Sequence, residues 1–234
     1  MGLLFDSVQS AFLLFMSFDR DLVEIVIVSL RVSFFATLIA SIIGIPGGFF
    51  IAYSNFPAKR FVLTCLNTLL ALPTVVIGLL VYSFISRRGI LGPFGLLYTQ
   101  KAIVIGQVIL IVPIIMVMTI AAISRIDSRY RMTALTLGAS KYQMAMVIIK
   151  EARYGIFAAV IAAFGRVIAE IGISMMLGGN AKGFTRTMTT AMALEYDKGE
   201  FVLAVALGIT LMVIAFAINL LFHFFQGRTV TDAV

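Results

Sequence analysis

Residues 125–153, RIDSRYRMTALTLGASKYQMAMVIIKEAR, form the one long polar interruption in a chain otherwise composed of membrane-length apolar runs. The stretch carries six of the eighteen lysines and arginines: Arg125, Arg129, Arg131, Lys141, Lys150 and Arg153. Its centre, Thr133-Ala134-Leu135-Thr136-Leu137-Gly138-Ala139-Ser140, predicts a short helix, a glycine break and a second helix starting near Ser140. Gly138 suits the break because glycine adopts the left-handed backbone of a helix C-cap without a steric cost. Ser140 can accept one of the orphan amides at the start of the next helix. The expected product is a helical hairpin lying at a membrane surface.

Working outward, composition sets the class. Of the 234 residues, 61% are hydrophobic and 12% charged. Soluble domains carry roughly 25% charged residues, so the chain is read as an all-α integral membrane protein, a polytopic helical bundle. The net charge is +7, but the basic residues are spread over loops without the cluster that binds nucleic acid. One cysteine, Cys65, and one histidine, His223, leave no disulfide framework and no metal site. The twelve methionines are scattered, and Met116, Met118, Met144, Met146, Met175 and Met176 read as adaptable packing.

About five spans are expected, over 23–53, 61–86, 101–124, 154–178 and 201–225. Pro46 in the first should kink it, and Gly44 with Gly48 supplies a small-xxx-small pattern for close helix packing. Residues 2–18 are apolar but short. At roughly 1.5 Å per residue they reach about 25 Å against a core of roughly 30 Å, so residues 1–20 are read as an interfacial helix. Residues 21–228 then form the membrane domain, with the hairpin at 125–153, and 229–234 a tail. No cleavable signal and no appended soluble domain are expected.

The hairpin resembles the cytoplasmic coupling loop of type I ATP-binding-cassette importer permeases, whose pattern is roughly E-A-A-x-x-L-G-A-S. Ala134, Leu137, Gly138, Ala139 and Ser140 match it. Met132 stands in place of the usual Glu, and Lys150 where a Pro usually follows. The resemblance implies that Met132, Ala134, Leu135, Leu137, Gly138, Ala139 and Ser140 meet an ATPase subunit, and that this docking is mainly apolar. Gly165-Arg166-Val167-Ile168-Ala169-Glu170-Ile171-Gly172, Gly178-Gly179-Asn180 and Thr185-Arg186-Thr187 are similar to the R-x-x-x-E-x-G…G-N…T-R-T pattern of the oxyanion permeases. Leu72-Pro73-Thr74-Val75-Val76-Ile77-Gly78 resembles their second span, and Thr189–Glu195 looks most like the tungstate members.

That likeness implies a homodimer with two ATPase subunits, which bind the ATP and Mg, and an extracytoplasmic oxyanion-binding protein. This chain has no phosphate loop of the G-x-x-x-x-G-K-[ST] kind and is not expected to be catalytic itself. Lysine and arginine counts favour the hairpin side only slightly, nine against seven. The resemblance implies an N-terminus outside and a C-terminus inside a prokaryotic cytoplasmic membrane. Arg31, Arg166 and Glu170 lie within apolar spans, where charged groups usually face a pathway or a partner. Arg31 and Glu170 sit at similar depths and could pair across two helices, with Arg166 one turn deeper on the Glu170 face. One reading is an anion pathway including Arg31, Pro73, Thr74, Arg166, Glu170 and Ser174; the other is a triad that locks helices. Asn180, Thr185 and Arg186 are candidates for the binding-protein side, or plain turn residues. A serine protease using Ser174 and His223 fails because the two lie near opposite faces of the bilayer. A secondary transporter would favour inverted repeats, which the five spans do not show; sulfate or molybdate remain alternative cargoes.

Overall fold

The computed structural model describes residues 20–230, together with Gln9 and Leu13. The interfacial helix expected over 1–20 and the last residues of the tail therefore lie outside the described residues. Every regular element described is helical: α1 Arg20–Tyr53, α2 Lys59–Leu70, α3 Thr74–Ile85, a 3-10 turn Gly92–Phe94, α4 Gln100–Ser124, α5 Ser128–Thr136, α6 Lys141–Ile168, α7 Gly172–Gly178, α8 Met188–Asp197 and α9 Phe201–Val230. Three helices are long and apolar enough to cross a membrane alone, and five crossings result if each broken pair, α2 with α3 and α6 with α7, counts as one.

The breaks correct the expectation of continuous second and fourth spans. Pro73 has no amide to donate and biases Leu72 away from helical geometry. The helix accordingly stops at Leu70, and Pro73 becomes the N-cap of α3 with φ −61° and ψ 131°. The fourth crossing breaks at Ala169–Ile171, and α6 runs without interruption from the hairpin into the apolar segment. By contrast, α1 continues through Pro46 and does not end there. The polar connection after Gly178 contains the ten-residue helix α8.

The chain forms two compact units. One takes residues up to Ala36, Pro73–Val108 and everything from Phe164 on. Its core includes Val28, Val32 and Ile103, and a second cluster of Leu22, Ala191 and Leu207. Within it α3 packs on α7 through Gly78, where a Cβ would lie 2.9 Å from Met176 Sδ. Gly106 of α4 likewise lies against Ile173 and Leu177.

The other unit takes Thr37–Leu72 and Ile109–Ala163. Here the Gly44 and Gly48 pattern does what small residues do between membrane helices: it lets two backbones approach. A Cβ on Gly44 would meet Ile115 Cγ2 at 2.8 Å, and one on Gly48 would meet the Met116 carbonyl oxygen at 2.8 Å. The end of α1 is closed by Lys59, whose Nζ donates to the carbonyls of Ala52 and Ser54 at 2.9 and 3.1 Å. These are C-terminal carbonyls with no partner in the helix. Overpacking such a contact against backbone costs about 2 kcal/mol. Gly48→Val should therefore lower the melting temperature of the detergent-solubilised chain by about 5 °C, read by fluorescence-detected size exclusion after heating; an unchanged profile would show that the two helices do not meet there.

Candidate functional site: the hairpin and the broken crossing

The hairpin is closed at every backbone end. Asp127 caps α5 by accepting the Arg129 amide at 2.9 Å. At its other end Gly138 has φ +73°. The amides of Gly138 and Ala139 return to the carbonyls of Leu135 and Ala134 at 3.0 and 2.9 Å, the double bond of a Schellman motif. Ser140 then opens α6 with a reciprocal cap: its Oγ accepts the Gln143 amide, and its own amide donates to Gln143 Oε1 at 2.8 Å. The sequence signal for that second bond, S-x-x-Q, was present in the chain but unused above.

Packing then decides which hairpin residues face outward. Ala134, Met144 and Ile148 form a buried cluster with Phe49, Tyr53, Ile123, Ile126 and Ala139 around it. Ala134, and in part Ala139, thus anchor the hairpin to its own unit. Met132, Leu135 and Leu137 are exposed, Leu137 by 80%, beside exposed Tyr130 and Tyr142. These side chains form an exposed apolar knob on a turn capped at both ends. Phe49 and Tyr53, stacked with ring centroids 5.6 Å apart, support it from α1 and were not predicted.

At the broken crossing, Glu170 is 3% exposed and pairs with Arg166 at 2.7 Å, whereas the Arg166 side chain is 42% exposed. The other carboxylate oxygen, Oε1, accepts the Ile173 amide, capping α7. The Glu170 carbonyl accepts the Thr189 hydroxyl at 2.9 Å, and its amide donates to Val167. Glu170 therefore ties α6, α7 and α8 together. It pairs with its helix neighbour and not with Arg31, which corrects the cross-helix pairing considered above. Arg31 is exposed on α1 among exposed Ile27, Phe34, Phe35 and Leu38 and belongs to no ion pair among the described residues.

Thr74 and Glu170 meet at one point. A Cβ on Gly172 would lie 3.2 Å from Thr74 Oγ1 and 3.4 Å from Glu170 Oε1. The structure thus brings Pro73, Thr74, Glu170 and Arg166 into one neighbourhood where α3 and α7 begin. Ser174 is placed differently: it is fully buried.

The segment 178–190 is held by a set of short polar side chains. Thr185 Oγ1 donates to the Gly178 carbonyl at 2.6 Å and accepts the Ala181 amide at 3.0 Å. Asn180, left-handed at φ +51°, donates to the Thr190 carbonyl and accepts Arg186 Nε at 3.2 Å. Thr187 and Thr190 close a capping box on α8, and Ser29 Oγ of α1 accepts the Met188 amide at 2.8 Å. All four of Thr185, Thr187, Thr189 and Thr190 are buried. Thr185 is thus committed to folding the loop, while Arg186 also lines an open cleft of about 460 Å3 with Asp21, Glu24, Lys182, Glu195 and Lys198. Ser29, Thr187, Thr189 and Thr190 were not among the candidate residues, because a hydroxyl carries no periodicity and its partner is a distant backbone group.

Removing the Glu170 carboxylate would strand the Ile173 amide and a half-buried guanidinium, at about 2 kcal/mol. Glu170→Leu should lose stability by that amount in a denaturant or thermal titration, and Glu170→Gln, which keeps an acceptor, by clearly less. Equal loss for both would show that charge, not the hydrogen-bond set, is what matters there.

The chain matches the family described as binding-protein-dependent transport system inner membrane component over residues 44–231. It is 39% identical over 218 residues to the tungstate uptake system permease protein TupB of Peptoclostridium acidaminophilum, covering 93% of this chain and 96% of that one. It is 37% identical to the protein of the same name from Campylobacter jejuni, covering 94% and 92%. A probable anion ABC transporter permease protein of Haloferax volcanii is 36% identical, covering 89% and 92%. Among solved structures, the bacterial ABC transporter that imports the acidic polysaccharide alginate superposes with a TM-score of 0.76 at 18% identity, over 94% of this chain and 83% of that one. The inward-facing MetNI methionine ABC transporter superposes with 0.71 at 19%, over 92% and 97%. The two structures share the fold. The family match and the identities of the relatives make the assignment: this chain belongs to the inner-membrane components of binding-protein-dependent transport systems and is a permease subunit of an ABC importer.

Proposed function

We propose that the chain forms, with a second copy of itself, the membrane path of a tungstate importer. The observation that carries this is the likeness, over nearly the whole length of both chains, to two tungstate permeases at 39% and 37% identity. In this reading an extracytoplasmic binding protein delivers the dianion, and two ATPase subunits, binding ATP and Mg, drive its passage. In this reading the exposed Leu137 knob enters the ATPase, the hairpin and the C-terminus lie inside the cytoplasmic membrane, and the N-terminus lies outside.

The pathway reading rests on Arg166. Glu170 takes one of its donors, and the half-exposed guanidinium keeps others in its fork for an anion. Glu170 in turn is the positioning residue: it fixes Arg166 while satisfying α7. Arg31 adds a second cation on an exposed apolar face, and Pro73 and Thr74 open α3, a helix whose first turn has no side-chain cap. A positive surplus per subunit suits a doubly charged cargo.

The function is tested by reconstituting the full complex in lipid and measuring ATPase activity with binding protein loaded with tungstate, molybdate or sulfate. Stimulation by the tungstate-loaded protein above the other two is expected; preferential stimulation by another anion would reassign the cargo, and none by any would remove the oxyanion reading. For coupling, Gly138→Val places a β-branched residue at φ +73°, costing about 2 kcal/mol, and should uncouple ATPase from transport. Gly138→Asn, which tolerates that conformation, should retain coupling. Normal transport with Gly138→Val and with Leu137→Ser together would show that the hairpin is not the coupling surface.

A further inference from the structure

Between α3 and α4 the chain makes a tight turn whose charge nothing in the described structure answers. Arg87 and Arg88 are exposed, and neither belongs to an ion pair among the described residues. In the orientation proposed above they sit outside, where positive residues are not needed for topology. Both line an open cleft of about 570 Å3 whose walls include Tyr82 and Tyr98.

The cleft is constructed, not incidental. Tyr98 holds φ +62°, a conformation uncommon for a bulky residue. It is kept there by its amide, which donates to the Leu177 carbonyl at 2.9 Å, and by its ring, which fills the space a Cβ on Gly179 would occupy at 2.6 Å. The Tyr82 phenol beside it, through its charge and then its hydrogen bond, pushes the Tyr98 hydroxyl above its ordinary value. It therefore stays a protonated group able to donate. Gly89 lets the turn lie back on the last carbonyls of α3 and Gly92 lets it close on its own start, since a Cβ there would meet Phe84 O at 2.3 Å and Arg87 O at 2.7 Å.

The surroundings say which anion fits. Ile90 is 81% exposed and Phe94 72%, at the tip of the same turn. Helix α3, which ends at the cleft, exposes Val76, Leu79, Leu80 and Phe84. A free oxyanion would use only the two guanidinium groups, and the apolar surfaces beside them meet the bilayer in any case. A phospholipid uses both: its phosphate matches the arginine forks, its headgroup region suits tyrosine, and its chains suit the apolar face. We propose that this cleft binds a membrane lipid by its phosphate, held by Arg87 and Arg88 and walled by Tyr82 and Tyr98. The site is independent of which oxyanion the importer carries.

The test uses the full chain assembled with its ATPase subunits in detergent, with phosphatidylglycerol titrated and bound lipid counted by native mass spectrometry. Arg87→Gln with Arg88→Gln should weaken lipid binding about thirtyfold, and Arg88→Gln alone about fivefold; the single variant is read if the pair does not assemble. Arg20→Gln, which removes an exposed cation elsewhere, should leave binding unchanged. Equal affinity of wild type and the glutamine variants overturns the proposal. So does displacement of the lipid by sodium tungstate or inorganic phosphate at matched concentration, which would make the cleft a free-anion site.

Discussion

A hydrocarbon core offers no water to a backbone amide or carbonyl, so each interruption of a membrane helix must bring its own partners. That constraint accounts for most of the polar chemistry in this permease. Around the break at 169–171, Glu170 supplies an acceptor to the start of α7 and receives Thr189 from α8. Around the loop that follows, Thr185, Thr187, Thr190, Asn180 and Ser29 do the same work. The buried threonines are the condition for having a broken crossing at all.

The break also explains why a charged pair occurs inside the membrane. A continuous helix through 154–178 would leave Glu170 with Arg166 alone and no free amide to bond. With the helix broken, Glu170 is an internal cap with a cationic neighbour, and its charge is answered from two sides. The pair is asymmetric, with the carboxylate buried and the guanidinium half exposed. In the proposed reading, helix locking falls to Glu170 and anion handling to Arg166, its ion-pair partner.

The hairpin follows a related logic on the water side. Its ends are closed by Asp127, Gly138 and the Ser140–Gln143 cap, so its shape does not rely on a partner. Ala134 fastens it inward, which leaves Met132, Leu135 and Leu137 outward on a rigid support. In the proposed coupling role, a knob on a turn that is capped at both ends would lose little motion in reordering the turn itself. Met132, exposed beside Leu135 and Leu137, adds apolar surface and no charge to that face.

Read alone, the chain determined the elements whose cause is local. Apolar length marks the crossings, Gly138 and Ser140 mark the turn of the hairpin, and Gly44 with Gly48 marks a close helix approach. These signals are properties of neighbouring residues and survive without a folded context. Pro73 is a local breaker as well, and only the tertiary structure decided that residues 169–171 interrupt their crossing, that 188–197 is helical, and that Glu170 bonds Arg166 and not Arg31. It also decided that Ala134 faces inward and Ser174 is buried. The reason is physical: a hydroxyl or carboxylate is committed by whichever distant backbone group lacks a partner, and that group exists only once the helices have packed.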